Sequence, residues 1–287
     1  MTLNEVKSEF HNALELLYPP EEISSFFYLL TEQHLSVDRL ENATDPNRSY
    51  LKDELLPLYK DLARLKKEEP IQYIIGTTNF MGLNLKVNPS VLIPRPETEE
   101  LVDWVLKSHS LIINKSLKIA DIGTGSGCIA LALANKLLNS SVFALDISSA
   151  ALEVAKENAS ENDIKIETIE WDALSGNNAW LNDEKLDIIV ANPPYVRELE
   201  KKEISKNVLN YEPHSALFVS DQDPLIFYKA IATFAVDNLY ESGTLFFEFN
   251  EYLGKEMRTM MEDLDFEIEI KKDLFGKERM LKAKLKK

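Results

Sequence analysis

One cysteine, Cys128, stands in the 287 residues of this chain. That excludes an intramolecular disulfide and any thiolate metal cluster. Histidine is scarce as well: His11, His34, His109 and His214 lie scattered, without the spacing of metal ligands. No metal is expected on these grounds. No apolar run reaches the length of a membrane-spanning helix, and Met1-Thr-Leu-Asn-Glu-Val lacks the basic start and apolar core of a signal peptide. The expectation is a cytoplasmic protein with no membrane association. Long Lys/Arg blocks are missing too; Lys201-Lys202 and Lys271-Lys272 read as solvated faces. With 32 basic against 48 acidic residues the net charge is -16, and a field of that sign repels phosphate backbones. No stable nucleic-acid partner is expected. Such a surface suits a basic partner, or serves solubility. Against these absences, 45% hydrophobic and 28% charged residues describe a globular chain with an ample core, in one large or two ordinary domains.

Residues 1–68 read as helical. Leu3, Val6, Phe10, Leu14 and Leu17 recur at three- and four-residue steps and mark one helix face. Pro19-Pro20 stops that helix, and Glu21-Glu22 suit the first turn of the next. Residues 36–40 and 44–46 read as a cap and a turn, and a last helix covers 50–67, with a possible break at Pro57. Nothing in this part suggests chemistry; a small helical bundle that binds a partner is the expectation. From residue 69 the character changes. Glu69-Pro-Ile-Gln-Tyr-Ile-Ile-Gly76 is a β-branched run ended by glycine, and Leu83-Asn-Leu-Lys-Val87 alternates apolar with polar, so 69–96 is expected to be a β-hairpin linker. In Leu92-Ile-Pro-Arg-Pro-Glu-Thr-Glu-Glu100 two prolines fix the backbone around Arg95. Arg95 reads either as a surface charge in a linker or as a group beside a pocket. Thr98 and its acidic neighbours suit a helix start.

The remaining residues, 97–287, alternate strand and helix. Strands are expected at 117–121, 141–145, 164–169, 186–191 and 244–249, with helices between them and a closing pair of strands at 266–271 and 279–284. That order means a mainly parallel sheet with helices on both faces, an α/β fold. The first strand runs into Asp121-Ile-Gly123-Thr124-Gly125-Ser126-Gly127 before a helix. Three glycines in five residues let a ligand approach the backbone closely. Asp146 ends the next strand, where a carboxylate suits ribose hydroxyls. The glycine spacing is not that of a dinucleotide site. Asp121, just before the glycines, would repel a diphosphate but accept a hydrogen bond from an ammonium group. These features favour a nucleoside that carries an amino acid and a positive charge, S-adenosylmethionine. Trp171 ends the third strand and suits either an adenine face or core packing. Cys128 opens the helix and reads as a small buried residue rather than an activated thiol.

The fourth strand, 186–191, runs into Asn192-Pro193-Pro194-Tyr195. Two prolines cannot continue a ladder, so the chain leaves the sheet there, at a carboxyl strand end where α/β folds bind ligands. The Asn192 oxygen and the Pro193 carbonyl can accept both hydrogens of a planar NH2 group, and the Tyr195 ring can stack on its face. An ordinary strand exit with a surface tyrosine has equal standing on this loop alone. Nor does the loop separate adenine from glutamine.

Asp121-Ile-Gly-Thr-Gly-Ser-Gly-Cys-Ile-Ala-Leu-Ala resembles the first motif of class I S-adenosylmethionine-dependent methyltransferases, and Asn192-Pro-Pro-Tyr195 resembles the fourth motif of their amino-N subset. With residues 69–76 and Leu92-Ile-Pro-Arg-Pro-Glu-Thr-Glu99 in this order before them, nearly the whole chain resembles the HemK-type protein-(glutamine-N5) methyltransferases. Glu212-Pro213, Ala216-Leu217, Lys272-Asp273, Gly276 and Arg279 also match. The resemblance implies a Rossmann-like class I fold with a small helical domain at residues 1–68 that holds the release factor, and a methyltransferase domain at 97–287. It implies that Gly123 to Gly127 and Asp146 hold the cofactor, with Trp171 on the adenine side and Asn192 touching both cofactor and substrate. Asn192, Pro193, Pro194 and Tyr195 would grip the glutamine amide of the Gly-Gly-Gln motif in class 1 peptide chain release factors. Two stretches depart from the family: Gln222-Asp-Pro-Leu225 replaces Asp-Gly-Leu, and Glu248-Phe-Asn-Glu-Tyr-Leu253 keeps the glutamate of Glu-x-Gly-x-x-Gln but loses its glycine and glutamine. They leave open whether a pocket or only a turn is altered. The rivals are an adenine-N6 methyltransferase of nucleic acids, which the acidic charge opposes, and a non-catalytic cofactor-binding translation module. A monomer is the expected oligomeric state.

Overall fold

The computed structural model describes residues 1–109 and 116–286. Two compact units emerge, Met1–Gly76 with Ser205–Tyr211, and Thr77–Ile204 with Glu212–Lys287. The first is helical. α1 (Leu3–Leu14) starts on a reciprocal capping box between Thr2 and Glu5 and buries Leu3, Val6, Phe10 and Leu14. Leu17 falls beyond its end and stays exposed. α2 (Pro20–Leu35) opens on a proline at its first position, where no N–H is needed, and ends at Ser36 in the left-handed region. The stretch expected as a cap and a turn holds a short helix, α3 (Arg39–Thr44), nucleated by a second capping box between Asp38 and Glu41. α4 (Lys52–Leu65) runs through Pro57 unbroken.

Residues 71–75 correct the expectation of a strand: they form the short helix α5 (Ile71–Ile75). Pro70 sits at its start, and Gly76, at φ 84°, donates its N–H to the Gln72 carbonyl to close it. Helical spacing puts Ile71 and Ile74 on one face, inside the core of this unit with Phe26, Phe27, Leu58 and Leu62. Burial in a helical core overrides the strand preference of the isoleucines. Helix Lys206–Tyr211 belongs to the same unit, and the Tyr211 hydroxyl donates to the Lys67 carbonyl at 2.9 Å.

The second unit begins with the hairpin β1 (Thr77–Phe80) and β2 (Leu83–Lys86). Met81 and Gly82, both at positive φ, make the two-residue turn that matches strand twist. α6 (Pro96–His109) follows, then β3 (Leu117–Ile122), α7 (Cys128–Lys136), β4 (Ser140–Asp146), α8 (Ser149–Glu161), β5 (Glu167–Glu170) and β6 (Leu186–Ala191). After β7 (Val196–Arg197), α9 (Lys206–Tyr211), α10 (His214–Leu217) and β8 (Phe218–Val219) come α11 (Ile226–Asn238) and β9 (Leu239–Glu248). The chain closes with α12 (Gly254–Asp263), β10 (Phe266–Lys272) and β11 (Glu278–Leu285).

Seven strands form one sheet in the order β10-β11-β9-β6-β3-β4-β5. β3, β4, β5, β6 and β9 pair in parallel, and β11 joins β9 antiparallel. β6 is buried along its whole length, as a central parallel strand requires. One core lies on the α11 side, around Tyr228, Phe247 and Phe249; the other lies around Trp104, Leu131 and Phe246. The chain steps outward from β3 to β5, then returns to lay β6 on the other side of β3. This reversal opens a crevice at the carboxyl ends of β3 and β6.

Candidate active site

Register decides what meets in the crevice. Ile122 pairs with Ala191 on one side and with Leu145 on the other, Asp146 pairs with Glu170, and Ala191 pairs with Phe247. The next residues along each strand, Gly123, Trp171, Asn192 and Glu248, therefore stand along one edge of the sheet with Asp146. Five stretches far apart in sequence share that edge because parallel strands all end on the same side.

The glycine loop is tied down by its own backbone. The N–H groups of Gly123 and Thr124 both donate to the Leu145 carbonyl, at 2.8 and 2.9 Å, and Gly125 N–H donates to Asp146 Oδ2 at 2.9 Å. Gly127, at φ 81°, starts α7, and a Cβ there would lie 3.1 Å from the Ala155 Cβ. Glycine there lets the loop pack closely on α8. Buried Asn158 adds a brace: its Nδ2 donates to the carbonyls of Ser126 and Lys86 at 2.9 and 3.0 Å, and its Oδ1 accepts from Lys86 N–H at 2.6 Å.

Over this edge lies a cavity of about 450 Å³. Gly123, Thr124, Gly125, Ser126, Asp146 and Trp171 line one part of it; Arg95, Asn192, Pro193 and Pro194 line another. Asp121, Gly127 and Tyr195 are not among its walls. Asp121 is fully buried behind the loop, where Oδ2 accepts from the Thr124 hydroxyl at 2.6 Å and Ala130 N–H at 3.1 Å. Its Oδ1 has no partner, and neither has the buried Ser126 hydroxyl in the cavity wall. Burial pushes the Asp121 carboxyl up to about 7, against the Thr124 and Ala130 hydrogen bonds. Orphaned buried acceptors are uncommon, and these fit a ligand that brings a cationic donor. Burial also raises Asp146, whose oxygens accept from Gly125 and Ser148 N–H yet keep lone pairs for hydroxyl groups.

Trp171 combines core packing with a place in the cavity wall. It lines the cavity and packs its ring against Phe234, 5.1 Å between centroids, with its indole N–H donating to the Asn177 carbonyl. Arg95 is no free surface charge: it donates to Glu212 Oε1 at 2.5 Å, and Glu212 Oε2 also accepts from Ile93 N–H at 3.3 Å. Burial pushes the Cys128 thiol up to about 12, so it is no nucleophile at neutral pH.

Asn192 and Tyr195 converge on residues that sequence reasoning did not assign to the site. Asn192 Nδ2 donates to the Thr98 hydroxyl at 3.2 Å, which donates to Glu248 Oε2 at 2.7 Å. The Tyr195 hydroxyl donates to Glu248 Oε1 at 3.3 Å. Asn250, in the departure after Glu248, donates to the Tyr195 carbonyl and to Glu200, each at 3.1 Å, while its Oδ1 accepts from Tyr252 N–H. Asn250 thus caps the turn at 251–253 and ties the Asn192–Tyr195 loop to it. Neither departing stretch, 222–225 or 250–253, is among the cavity walls.

Among the described residues no group of His, Cys, Asp or Glu could hold a metal ion, and no helix is long and apolar enough to cross a membrane. The fold is that of a class I methyltransferase. Solved structures with this architecture include a 16S rRNA N2 G1207 methyltransferase of T. thermophilus in complex with AdoMet and guanosine (TM-score 0.52, 17% identity, 73% of this chain and 50% of that one). A methyltransferase from Pyrococcus furiosus is similar (TM-score 0.51, 17% identity, 82% and 98%). A family model described as "Methyltransferase small domain" matches residues 104–215, and one described as "PrmC N-terminal domain" matches 8–76. The chain is 48% identical over 285 residues to a release factor glutamine methyltransferase of Flavobacterium psychrophilum, with 99% of each covered. Its identity to the enzyme of that name from Bacteroides thetaiotaomicron is 40% over 282 residues, 98% of this chain and 99% of the relative. The chain belongs to the release factor glutamine methyltransferase family.

Proposed function

We propose that this protein methylates the side-chain amide nitrogen of the glutamine in the Gly-Gly-Gln motif of class 1 peptide chain release factors, using S-adenosylmethionine. One observation carries the reading: Asn192-Pro193-Pro194 and the glycine loop, far apart in sequence, open on one cavity in a chain whose full-length relatives are named release factor glutamine methyltransferases. S-adenosylmethionine would supply an electrophilic methyl group on a sulfonium. Thr124, Gly125 and Ser126 would hold its amino-acid part, with the Asp121 charge behind them, while Asp146 takes the ribose hydroxyls and Trp171 lines the adenine side.

An amide nitrogen is a poor nucleophile because its lone pair is delocalised into the carbonyl. Asn192 Oδ1 and the Pro193 carbonyl accept its two hydrogens, which localises density on nitrogen and fixes its approach. Positioning of this kind supplies several kcal/mol, roughly 7–11 at the extreme. The loop offers no strong base, so the proton leaves to solvent after transfer. Pro193 and Pro194 hold the loop rigid, and Arg95, anchored by Glu212, places a positive charge at the cavity wall.

The helical unit serves to dock the release factor, and the enzyme acts as a cytoplasmic monomer without nucleic acid. The test is transfer of labelled methyl from S-adenosylmethionine to purified release factor, its Gln-to-Ala variant, RNA and DNA. Label on the wild-type release factor alone is expected; label on RNA or DNA overturns the reading. Asn192→Ala should abolish turnover while cofactor affinity is only weakened, and near-normal turnover in that variant sinks the mechanism.

A further inference from the structure

The Asn192 side chain can turn either end of its amide to the cavity, and only one end is useful. An oxygen accepts an N–H of a substrate amide; an NH2 would face another donor. Donor and acceptor chemistry in the fold settles the choice. Glu248 ends β9 beside Asn192 and is 1% exposed. A carboxylate only accepts. Its Oε2 takes the Thr98 hydroxyl proton at 2.7 Å and its Oε1 takes the Tyr195 phenol proton at 3.3 Å. With its one proton committed to Glu248, Thr98 can only accept from Asn192, and it accepts from Nδ2 at 3.2 Å. The amide oxygen is thereby turned away from Thr98.

We infer that Thr98 and Glu248 are positioning residues that fix the polarity of the Asn192 amide, aiming Oδ1 at the substrate, while the same carboxylate steadies Tyr195. The inference rests on the reading of Asn192 as the acceptor of a substrate N–H. The groups that face Glu248 are Thr98 and Glu97 of α6, Cys128 of α7, Tyr195 after β6, Tyr228 of α11 and Arg279 of β11. The Tyr228 hydroxyl is spent on the Glu248 backbone carbonyl at 3.1 Å. Burial pushes Glu248 up to about 7; Thr98, Arg279 and Tyr195 favour its charge, and Glu97 opposes it. A protonated Glu248 donates to Thr98, which frees the Thr98 proton to face Asn192 and admits the reversed amide. Turnover therefore falls as pH drops through about 7.

Steady-state kinetics at saturating S-adenosylmethionine tests this, because saturation removes any pH dependence of cofactor affinity. Thr98→Val, which keeps the shape and loses the hydroxyl, should lower kcat about tenfold to a hundredfold, with KM for the cofactor changed by no more than about twofold. Thr98→Ser should restore most of the loss. Glu248→Gln should have a low kcat that is flat where the wild type shows its acid limb, since a neutral amide supports both polarities at every pH. A Thr98→Val enzyme with normal kcat, a Thr98→Ser enzyme as impaired as Thr98→Val, or an acid limb unchanged in Glu248→Gln overturns the inference. NMR gives a measure apart from turnover. The Asn192 side-chain NH2 signals, identified by their loss in Asn192→Asp, should shift in Thr98→Val. Signals that ignore that substitution defeat the positioning role whether or not methyl transfer is seen. A wild-type enzyme that labels no release factor defeats the functional reading instead.

Discussion

Asp121, fully buried, and Asp146, half-buried, are neighbouring carboxylates at the carboxyl ends of β3 and β4, yet only Asp121 keeps an oxygen without a partner. Burial holds it at about 7, so near neutral pH it is partly protonated until a cation arrives. An amino group keeps its proton below roughly pH 7.7. Cofactor affinity should therefore weaken as pH falls below about 7, approaching about tenfold per pH unit, the slope of one coupled proton. Calorimetric titration of S-adenosylmethionine between pH 5.5 and 8, each about a unit beyond the transition, checks this. Asp121→Asn should bind roughly tenfold to a hundredfold more weakly, as loss of a negative charge just behind the cavity wall predicts, and lose most of the pH slope. Unchanged affinity in that variant would remove Asp121 from the site. The glycine loop, Asp121, Asp146 and Asn192 were legible in the sequence because each closes a strand, and strand ends are local patterns. Thr98 and Glu248 were not. Their hydrogen bond spans 150 residues, and alone they read as a helix start and a strand end.

At the scale of elements, glycines in one loop do different work. Gly125 and Gly127 both sit at positive φ, but a Cβ on Gly125 meets open space, whereas one on Gly127 meets the Ala155 Cβ at 3.1 Å. Gly125→Ala should mainly lower cofactor affinity, by filling the wall of the cavity. Gly127→Ala adds a clash between α7 and α8 to its backbone strain and should destabilise the fold by about 1–3 kcal/mol. Denaturant unfolding together with cofactor titration separates the two, and equal stability losses would refute the division. In the helical unit Pro57 interrupts nothing, yet it leaves one backbone carbonyl of α4 without its donor. Pro57→Ala should raise stability by about 1–2 kcal/mol after the added entropy of the unfolded chain is counted. A lower unfolding midpoint would show that the proline geometry is needed. Residues 69–76 show where pattern reading fails among elements. Ile71, Tyr73, Ile74 and Ile75, four β-branched or aromatic residues among five, suit a strand, but Pro70 and Gly76 frame about one helical turn and a half. Short apolar runs are ambiguous on periodicity alone, and only the helical core around Ile71 and Ile74 decides.

For the whole molecule, the parallel sheet followed from strand–helix alternation, but the strand order did not. No local pattern says that β6 returns to the far side of β3, and that return brings the glycine loop and Asn192 together. The price of the resulting site appears in its dependence on pH. Asp121 and Glu248 have ordinary carboxyl values of 3.8 and 4.5 and stand at about 7 in the fold. A pKa raised by folding means that the folded state holds protons the unfolded chain has released. Its stabilising effect is complete below about pH 4 and is lost as pH rises through about 7. The net charge of -16 pushes the same way, since self-repulsion grows as carboxylates ionise. Glu200 works in the opposite sense: burial would raise it, but its hydrogen bonds to Arg197 prevail and lower it, so its stabilisation is lost on acidification. The cofactor-free protein should therefore be most stable near pH 5 and unfold at a lower temperature at pH 8, between these titrations. Salt separates the contributions. Screening at high ionic strength weakens the repulsion between surface carboxylates but barely reaches two buried ones. The part of the pH dependence that survives salt should vanish in the Asp121→Asn, Glu248→Gln double variant, which should be more stable than the wild type at pH 8 and inactive. S-adenosylmethionine at one fixed concentration should stabilise the wild type at pH 8, and should stabilise Asp121→Asn less, in step with the weaker binding of that variant. A cofactor-free wild type more stable at pH 8 than at pH 5 would show that neither carboxylate is strained by its burial.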